Sequence, residues 1–249
     1  MVDSFFVVYI SKLSTKYDLQ SMSIIDILVP RYCLVCDCVL YAQHERFICI
    51  QCYSNLPLSC MGYNSNNLLA KALWGRIPEC NCGSLLTYKS SSKYSSLIKE
   101  FKYNNNKGVG YFLALQFGLE LRRFSLVDFK NVGAIVPIPL SKTKKLYRGY
   151  NQSEILANGI SKILKIPVRT DILFRGKNKD SQTKKGRFDR WLNLQNIYYI
   201  DKDKLEGLEE IVLIDDIITT GSTMVACIET IQKKKNIKIN VLSIAYTHS

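Results

Sequence analysis

The segment that most restricts the fold is residues 209–230, EEIVLIDDIITTGSTMVACIET. Four consecutive apolar residues, Ile211 to Ile214, run into two adjacent acids, Asp215 and Asp216. Thr219, Thr220, Gly221, Ser222 and Thr223 follow, and then an apolar stretch at helical period. A short unbroken apolar run marks a strand buried on both faces, and such strands belong to parallel sheets covered by helices. In open sheets of that kind, ligands bind at the carboxyl ends of the strands. The turn collects hydroxyls and backbone N–H groups at the start of a helix, which suits an anion such as phosphate. Gly221 lets the backbone approach closely because it has no Cβ. Two acids beside a phosphate cradle repel the phosphate, so they serve another part of the ligand. Sugar hydroxyls, which donate to carboxylates, fit them, with a divalent cation to balance charge. A ribose 5-phosphate gripped at both ends joins these requirements. An acidic capping turn with unremarkable Thr and Ser residues is the plainer alternative.

The neighbouring sequence agrees with a parallel sheet. VGAIVPIPL (132–140) reads as a strand running into a loop, and NQSEILANGISKILKI (151–166) as an amphipathic helix capped by Asn151. PVRTDILFR (167–175) reads as a strand, 175–196 as a polar basic excursion, and IKINVLSIAYT (237–247) as a last strand. Helical periodicity over 94–124 is broken by the Asn/Gly turn at 104–108, and SLLTYKSS is a short strand candidate. Strands alternating with helices imply crossover connections.

Cysteine usage divides the chain near residue 84. Eight of the nine cysteines lie in 33–82, and only Cys227 lies beyond. CLVC (33–36) and CIQC (49–52) stand twelve residues apart. Two such knuckles supply Cys33, Cys36, Cys49 and Cys52 to one tetrahedral, structural Zn²⁺, with redox-active dithiols or buried thiols as alternatives. Cys38, Cys60, Cys80 and Cys82 are extra; Cys80 and Cys82 read as small apolar residues or spare ligands. The expected organisation is an N-terminal appendage (1–23), a zinc-finger module (24–84) and an α/β domain (85–249). No stretch approaches the roughly 20 apolar residues of a membrane helix, and a cytoplasmic protein is expected.

Charge narrows the ligand class. The net charge is +13, and residues 141–190 hold 14 Lys and Arg against four acids. Such a concentration calls for an anionic partner, either nucleic acid, anionic lipid or a phosphorylated small molecule, or is a solvated lysine-rich surface. Neither His44 nor His248 suggests catalysis; Trp74 and Trp191 read as packing residues, although Trp191 could stack on a base.

IVLIDDIITTGSTM resembles the phosphoribosyl-diphosphate-binding motif of type I phosphoribosyltransferases. The resemblance implies that Asp215 and Asp216 contact ribose hydroxyls and that residues 219–223 cradle the 5-phosphate. With IVPIPLSKTKKLYRGYNQSEILANGI, QTKKGRFDRWLN and the paired CxxC knuckles, the chain resembles the ComF (competence protein F) family over roughly residues 24–247. That likeness implies a type I phosphoribosyltransferase-like α/β sheet behind a four-cysteine finger. It places Pro139, Leu140, Ser141 and Lys142 at the diphosphate, with Arg148, Asn151 and Gln152 bordering the site. Gln182, Arg187, Arg190 and Asn193 match a basic loop that in relatives lies over the active site. Lys142, Lys144, Arg148, Lys184, Arg187 and Arg190 are suited to neutralise a departing diphosphate, and a lid excludes water.

Two functions follow. The first is transfer or exchange of a phosphoribosyl group from phosphoribosyl diphosphate, with Mg²⁺, to an unidentified acceptor. The second is a single-stranded-DNA-binding module for DNA uptake, working with competence proteins through the basic surface and the finger. An Asp215→Ala, Asp216→Ala double variant separates them, since it removes sugar-phosphate binding and spares DNA binding.

Overall fold

Four parallel strands form the centre of the protein, in the order Cys82–Thr87, Lys238–Tyr246, Glu210–Ile218 and Val132–Pro137. The structure is a computed structural model and describes residues 30–41, 45–59, 62–124, 129–176 and 197–247. Packing divides the chain into two units, 1–56 and 57–249.

The first unit, as described, is built round the cysteines. Strands β1 (Arg31–Tyr32) and β2 (Val39–Leu40) pair antiparallel, and helix α1 (Ile50–Ser54) follows. The first knuckle closes through Cys33 N–H to Cys38 C=O at 2.8 Å and Asp37 N–H to Cys33 C=O at 2.9 Å. Asp37 takes a left-handed backbone, φ 58°. Such a turn normally favours glycine, and Asp is among the few residues with a side chain that tolerate it.

In the second unit the sheet strands are β3 (Cys82–Thr87), β4 (Val132–Pro137), β7 (Glu210–Ile218) and β8 (Lys238–Tyr246). Nearly every residue of β7 and β8 up to the acids is buried, as doubly covered parallel strands require. One face carries α3 (Ser95–Tyr103), α4 (Lys107–Phe124) and α6 (Gln152–Leu164). A Cβ at Gly159 of α6 would stand 2.4 Å from the Ala114 Cβ of α4, so glycine sets how closely these helices pack. On the other face Leu69 and Leu73 of α2 (Leu68–Leu73) join Val225, Ile228 and Ile231 of α7 (Ser222–Gln232) in one core with Ile211 and Leu213 of β7. Tyr198 of β6 (Tyr198–Ile200), which pairs with β5 (Leu173–Arg175), belongs to it too.

The α/β class expected from the sequence is what the structure shows. Several boundaries differ. Packing sets the division at 56/57, where the sequence suggested residue 84: Cys82 is fully buried as the first residue of β3, and Leu58 and Asn64 bridge that strand. Residues 167–175 do not form one strand. Arg169 and Asp171 close a bidentate ion pair (2.7 and 2.9 Å) in a local turn, so only Val168 bridges β4 and β5 begins at Leu173. The stretch after β4, expected as a loop, contains helix α5 (Lys142–Arg148), capped by the Ser141 hydroxyl and ended at Gly149 with φ 73°.

Candidate functional site

The site forms because β7 outlasts its neighbour. Pairing with β4 stops at Pro137–Ile214, where the Ile138 N–H donates to Ile214 C=O at 3.0 Å. Pairing with β8 continues through Asp215–Ser243 to Ile218–Tyr246. Asp215 and Asp216 therefore lie inside a strand and not at its tip as the sequence suggested. One side of that strand is open because β4 has turned into the Pro139–Leu140–Ser141 loop. The Asn151 amide ties this loop to α6: its Nδ2 donates to Ile138 C=O (3.1 Å), while its Oδ1 accepts from Ser153 N–H (3.2 Å).

The two acids have separate partners. Asp215 Oδ1 accepts from the Ser153 hydroxyl at 3.1 Å and from the Asp216 N–H at 2.8 Å. Burial, and then the neighbouring Asp216 carboxylate, push the Asp215 carboxyl up from 3.8 to about 7; the Asp216 N–H, Ser153 and Lys102 oppose them. Asp216 Oδ2 lies 3.1 Å from Lys102 Nζ and 3.8 Å from Arg148 Nη1. All three of these side chains are 13–16% exposed, so the charges are only partly hydrated. The Arg148 guanidinium also covers the Tyr103 ring, 5.7 Å from its centroid. Behind Asp215, Arg175 Nη1 donates to the Tyr198 hydroxyl at 3.3 Å. Burial raises the Tyr198 and Cys227 side chains well above their usual ionisation range.

Past Ile218 the chain makes a cup. Asp215, Ile217 and Ile218 line one pocket together with residues 219–224. Thr219 and Thr220 are exposed, and the Thr220 and Ser222 hydroxyls are 3.1 Å apart. Gly221 has φ 69°, and a Cβ there would approach Leu73 Cδ2 to 2.5 Å. Both its backbone and its packing thus demand glycine. The Arg76 Nη1 donates to Thr220 C=O at 2.5 Å, and its Nη2 lies 3.4 Å from Ser222 Oγ.

The structure thus brings Asp215, Asp216, Arg148 and Ser153 together and sets residues 219–223 next to the acids. Pro139, Leu140 and Ser141 form the loop leaving β4; Lys142 opens α5, and its side chain is outside the described atoms. Gln182, Lys184, Arg187, Arg190, Trp191 and Asn193 fall outside the described residues, as do Cys60, His44 and His248. Gln152 is fully buried. Sequence reasoning missed Lys102, Arg76 and Arg175. Each is one cation among 34, distant in sequence from the acids, and only the following Tyr103 marks Lys102 locally.

In the first unit the Cys33, Cys36, Cys49 and Cys52 sulfurs lie within 4.8 Å of one another. Cys36 Sγ and Cys49 Sγ are 3.7 Å apart, close to the ~3.8 Å that separates two sulfurs bound tetrahedrally at about 2.3 Å. Cys49 Sγ accepts from Cys52 N–H, and Cys33 Sγ from Cys49 N–H, both at 3.4 Å. N–H donors aimed at sulfur stabilise thiolates, so the donor set fits a metal ion. Cys80 and Cys82, 3.5 Å apart at sulfur, lie in the core of the second unit and do not join this group.

No family model matches the chain. It is 30% identical over 204 residues to competence protein F of Haemophilus influenzae, spanning 72% of this chain and 88% of that protein. It is 38% identical over 90 residues to competence protein ComFC of Bacillus subtilis, 36% of this chain and 34% of the relative. Among solved structures it is similar to glutamine phosphoribosylpyrophosphate amidotransferase of B. subtilis (TM-score 0.40, 16% identity, 58% of this chain, 30% of the other). It is also similar to adenine phosphoribosyltransferase of Leishmania tarentolae (TM-score 0.36, 10% identity, 74% of this chain, 89% of the other). Among the described residues no helix is long and apolar enough to cross a membrane.

Proposed function

The chain belongs to the competence protein F (ComF) family, and from that premise we propose that its second unit is a phosphoribosyltransferase-type domain. It binds phosphoribosyl diphosphate with Mg²⁺ in the cytoplasm and transfers or exchanges the phosphoribosyl group with an acceptor. The observation that carries the reading is the juxtaposition of Asp215 and Asp216 with the cup of residues 219–224 on the unpaired length of β7. Ribose hydroxyls donate to the two carboxylates. The 5-phosphate enters the cup, where Thr and Ser hydroxyls and the start of α7 receive it. The diphosphate lies toward the Pro139–Ser141 loop, with Mg²⁺ as its counter-ion, and Arg148 neutralises charge as it departs. The family likeness assigns Arg187 and Arg190 to the same task and Gln182 to binding the ligand. Ribose hydroxyls that engage Asp216 compete with Lys102 and free its ammonium for a second anion. Cys33, Cys36, Cys49 and Cys52 hold a structural zinc, closed because four protein ligands fill a tetrahedral site.

Isothermal titration of the native protein with phosphoribosyl diphosphate and Mg²⁺ tests this. Heat with one-to-one stoichiometry is expected, and none from the Asp215→Ala, Asp216→Ala double variant. A folded native protein that gives no heat overturns the reading.

A second reading is favoured by α5. Lys144 and Lys145 are exposed, Leu146 and Tyr147 are 85% and 81% exposed, and the helix adjoins the site. Basic groups interleaved with an aromatic ring suit single-stranded DNA during DNA uptake with competence proteins. Binding that weakens steeply with salt supports it, and salt-independent binding counts against it.

A further inference from the structure

We propose that Arg76 is a positioning residue for the phosphate cup, and that it lends the cup a positive charge that the 215–223 motif itself lacks. The inference rests on the reading of the cup as a 5-phosphate site. It assigns a role to a segment that the cysteine pattern places with the finger.

Helix α2 abuts the cup from outside the motif. Its last residue, Leu73, fills the space where a Cβ on Gly221 would stand. The chain then turns at Gly75, φ 72°, and presents Arg76 beside the loop. One arm of the guanidinium donates to Thr220 C=O at 2.5 Å. The other lies 3.4 Å from Ser222 Oγ, which in turn contacts the Thr220 hydroxyl at 3.1 Å. In a trans peptide the C=O and the following N–H point in opposite directions, so holding the Thr220 carbonyl fixes where the Gly221 N–H is aimed. The same contact spreads to both hydroxyls, which would otherwise rotate freely. Preorganised donors of this kind cost no rearrangement when an anion arrives.

Among the described residues no carboxylate pairs with Arg76. Its two contacts are neutral oxygens, so its charge stays available to an anion at the cup. Two of its five N–H donors suffice for them, leaving others for a phosphate oxygen. A phosphate monoester carries close to two negative charges at neutral pH.

The test compares Arg76→Gln and Arg76→Lys with the native full-length protein, using ribose 5-phosphate and inorganic diphosphate as separate probes, each titrated with Mg²⁺ present. Charge-assisted hydrogen bonds of this kind predict that Arg76→Gln weakens ribose 5-phosphate binding about 10- to 100-fold. Diphosphate affinity stays within about twofold, because that end of the site is built by the β4 loop and Arg148. Arg76→Lys recovers part of the loss, since it restores charge but not the fork. Unchanged ribose 5-phosphate binding in Arg76→Gln overturns the proposal alone. Equal loss of both probes reduces Arg76 to general support of the fold and also overturns it, as does a Lys variant no better than Gln. A native protein that binds neither ribose 5-phosphate nor phosphoribosyl diphosphate removes the reading of the cup and this proposal together.

Discussion

Asp215 makes the free protein less stable as pH rises toward neutrality, and its magnitude follows from the site. The carboxyl is pushed from 3.8 to about 7, chiefly by burial and then by Asp216. The raised value means that folding favours the protonated form. Its contribution is complete below about pH 4, where folded and unfolded chains both carry the proton. Above that, the unfolded chain ionises first, and stability falls until the folded carboxyl also ionises near pH 7. A gap of about three pH units, at about 1.4 kcal/mol each, comes to about 4 kcal/mol. Between pH 5 and pH 8 about 3 kcal/mol of it is lost, equivalent to about 6–12 °C in Tm for a chain of this size. Asp215→Asn imitates the protonated form, and its Oδ1 can still accept from Ser153 and Asp216 N–H. Urea-melting curves at half-unit pH intervals, read on Trp fluorescence, should show the variant gaining on the native protein by about 3 kcal/mol from pH 5 to pH 8. Subtracting one protein from the other cancels groups common to both, the cysteine cluster included. Parallel curves, or a native protein that gains on the variant toward pH 8, would refute the argument. The gain in stability accompanies loss of a ligand contact, a trade-off that strained sites commonly show.

Three further outcomes are expected. Tyr63 is 1% exposed and its hydroxyl has no partner among the described residues, so Tyr63→Phe should stabilise the protein by about 1 kcal/mol, measured as a rise in urea midpoint at constant slope. Gly221→Ala meets both a left-handed backbone and Leu73, and should cost about 2–4 kcal/mol while weakening ribose 5-phosphate, read by melting and titration together. Native protein should release one zinc per chain to a chromogenic chelator after thiol modification, and Cys49→Ser, which loses a ligand sulfur but keeps an α1-capping oxygen, should release almost none.

The parts of this protein written locally were legible. The strand of β7 and the turn after it lie within fifteen residues, and the paired knuckles reveal themselves by spacing alone. The break between α3 and α4 was marked by asparagines, and Asn105 does take a left-handed backbone there, φ 54°. What escaped the sequence depends on distance along the chain. Lys102 reaches Asp216 across 114 positions, and Arg76 reaches Thr220 across 144, with no periodicity or turn to announce either contact. Cysteine count left Cys80 and Cys82 open between small apolar residue and spare ligand, because a thiol serves equally as either, and both lie in the core. The extent of β7 beyond its acids was hidden for another reason: it is decided by where β4 stops, and a strand's own residues do not encode when its neighbour leaves.

Both borders of the central sheet are occupied by fragments too short to be strands. Ser59 N–H and Thr87 N–H exchange bonds with Leu85 and Pro57 carbonyls along β3, and Asn64 pairs with Cys82. Along β4, Ile135 N–H and Arg169 N–H bond Pro167 and Ile135 carbonyls. These borrowed residues spend the hydrogen-bonding capacity that an intruding chain would need, so the sheet is finite at four strands. A protein trimmed to begin at residue 85 would lose half of β3 together with its cover and invite edge-to-edge polymerisation along β8, whereas one beginning at Pro57 keeps its hem.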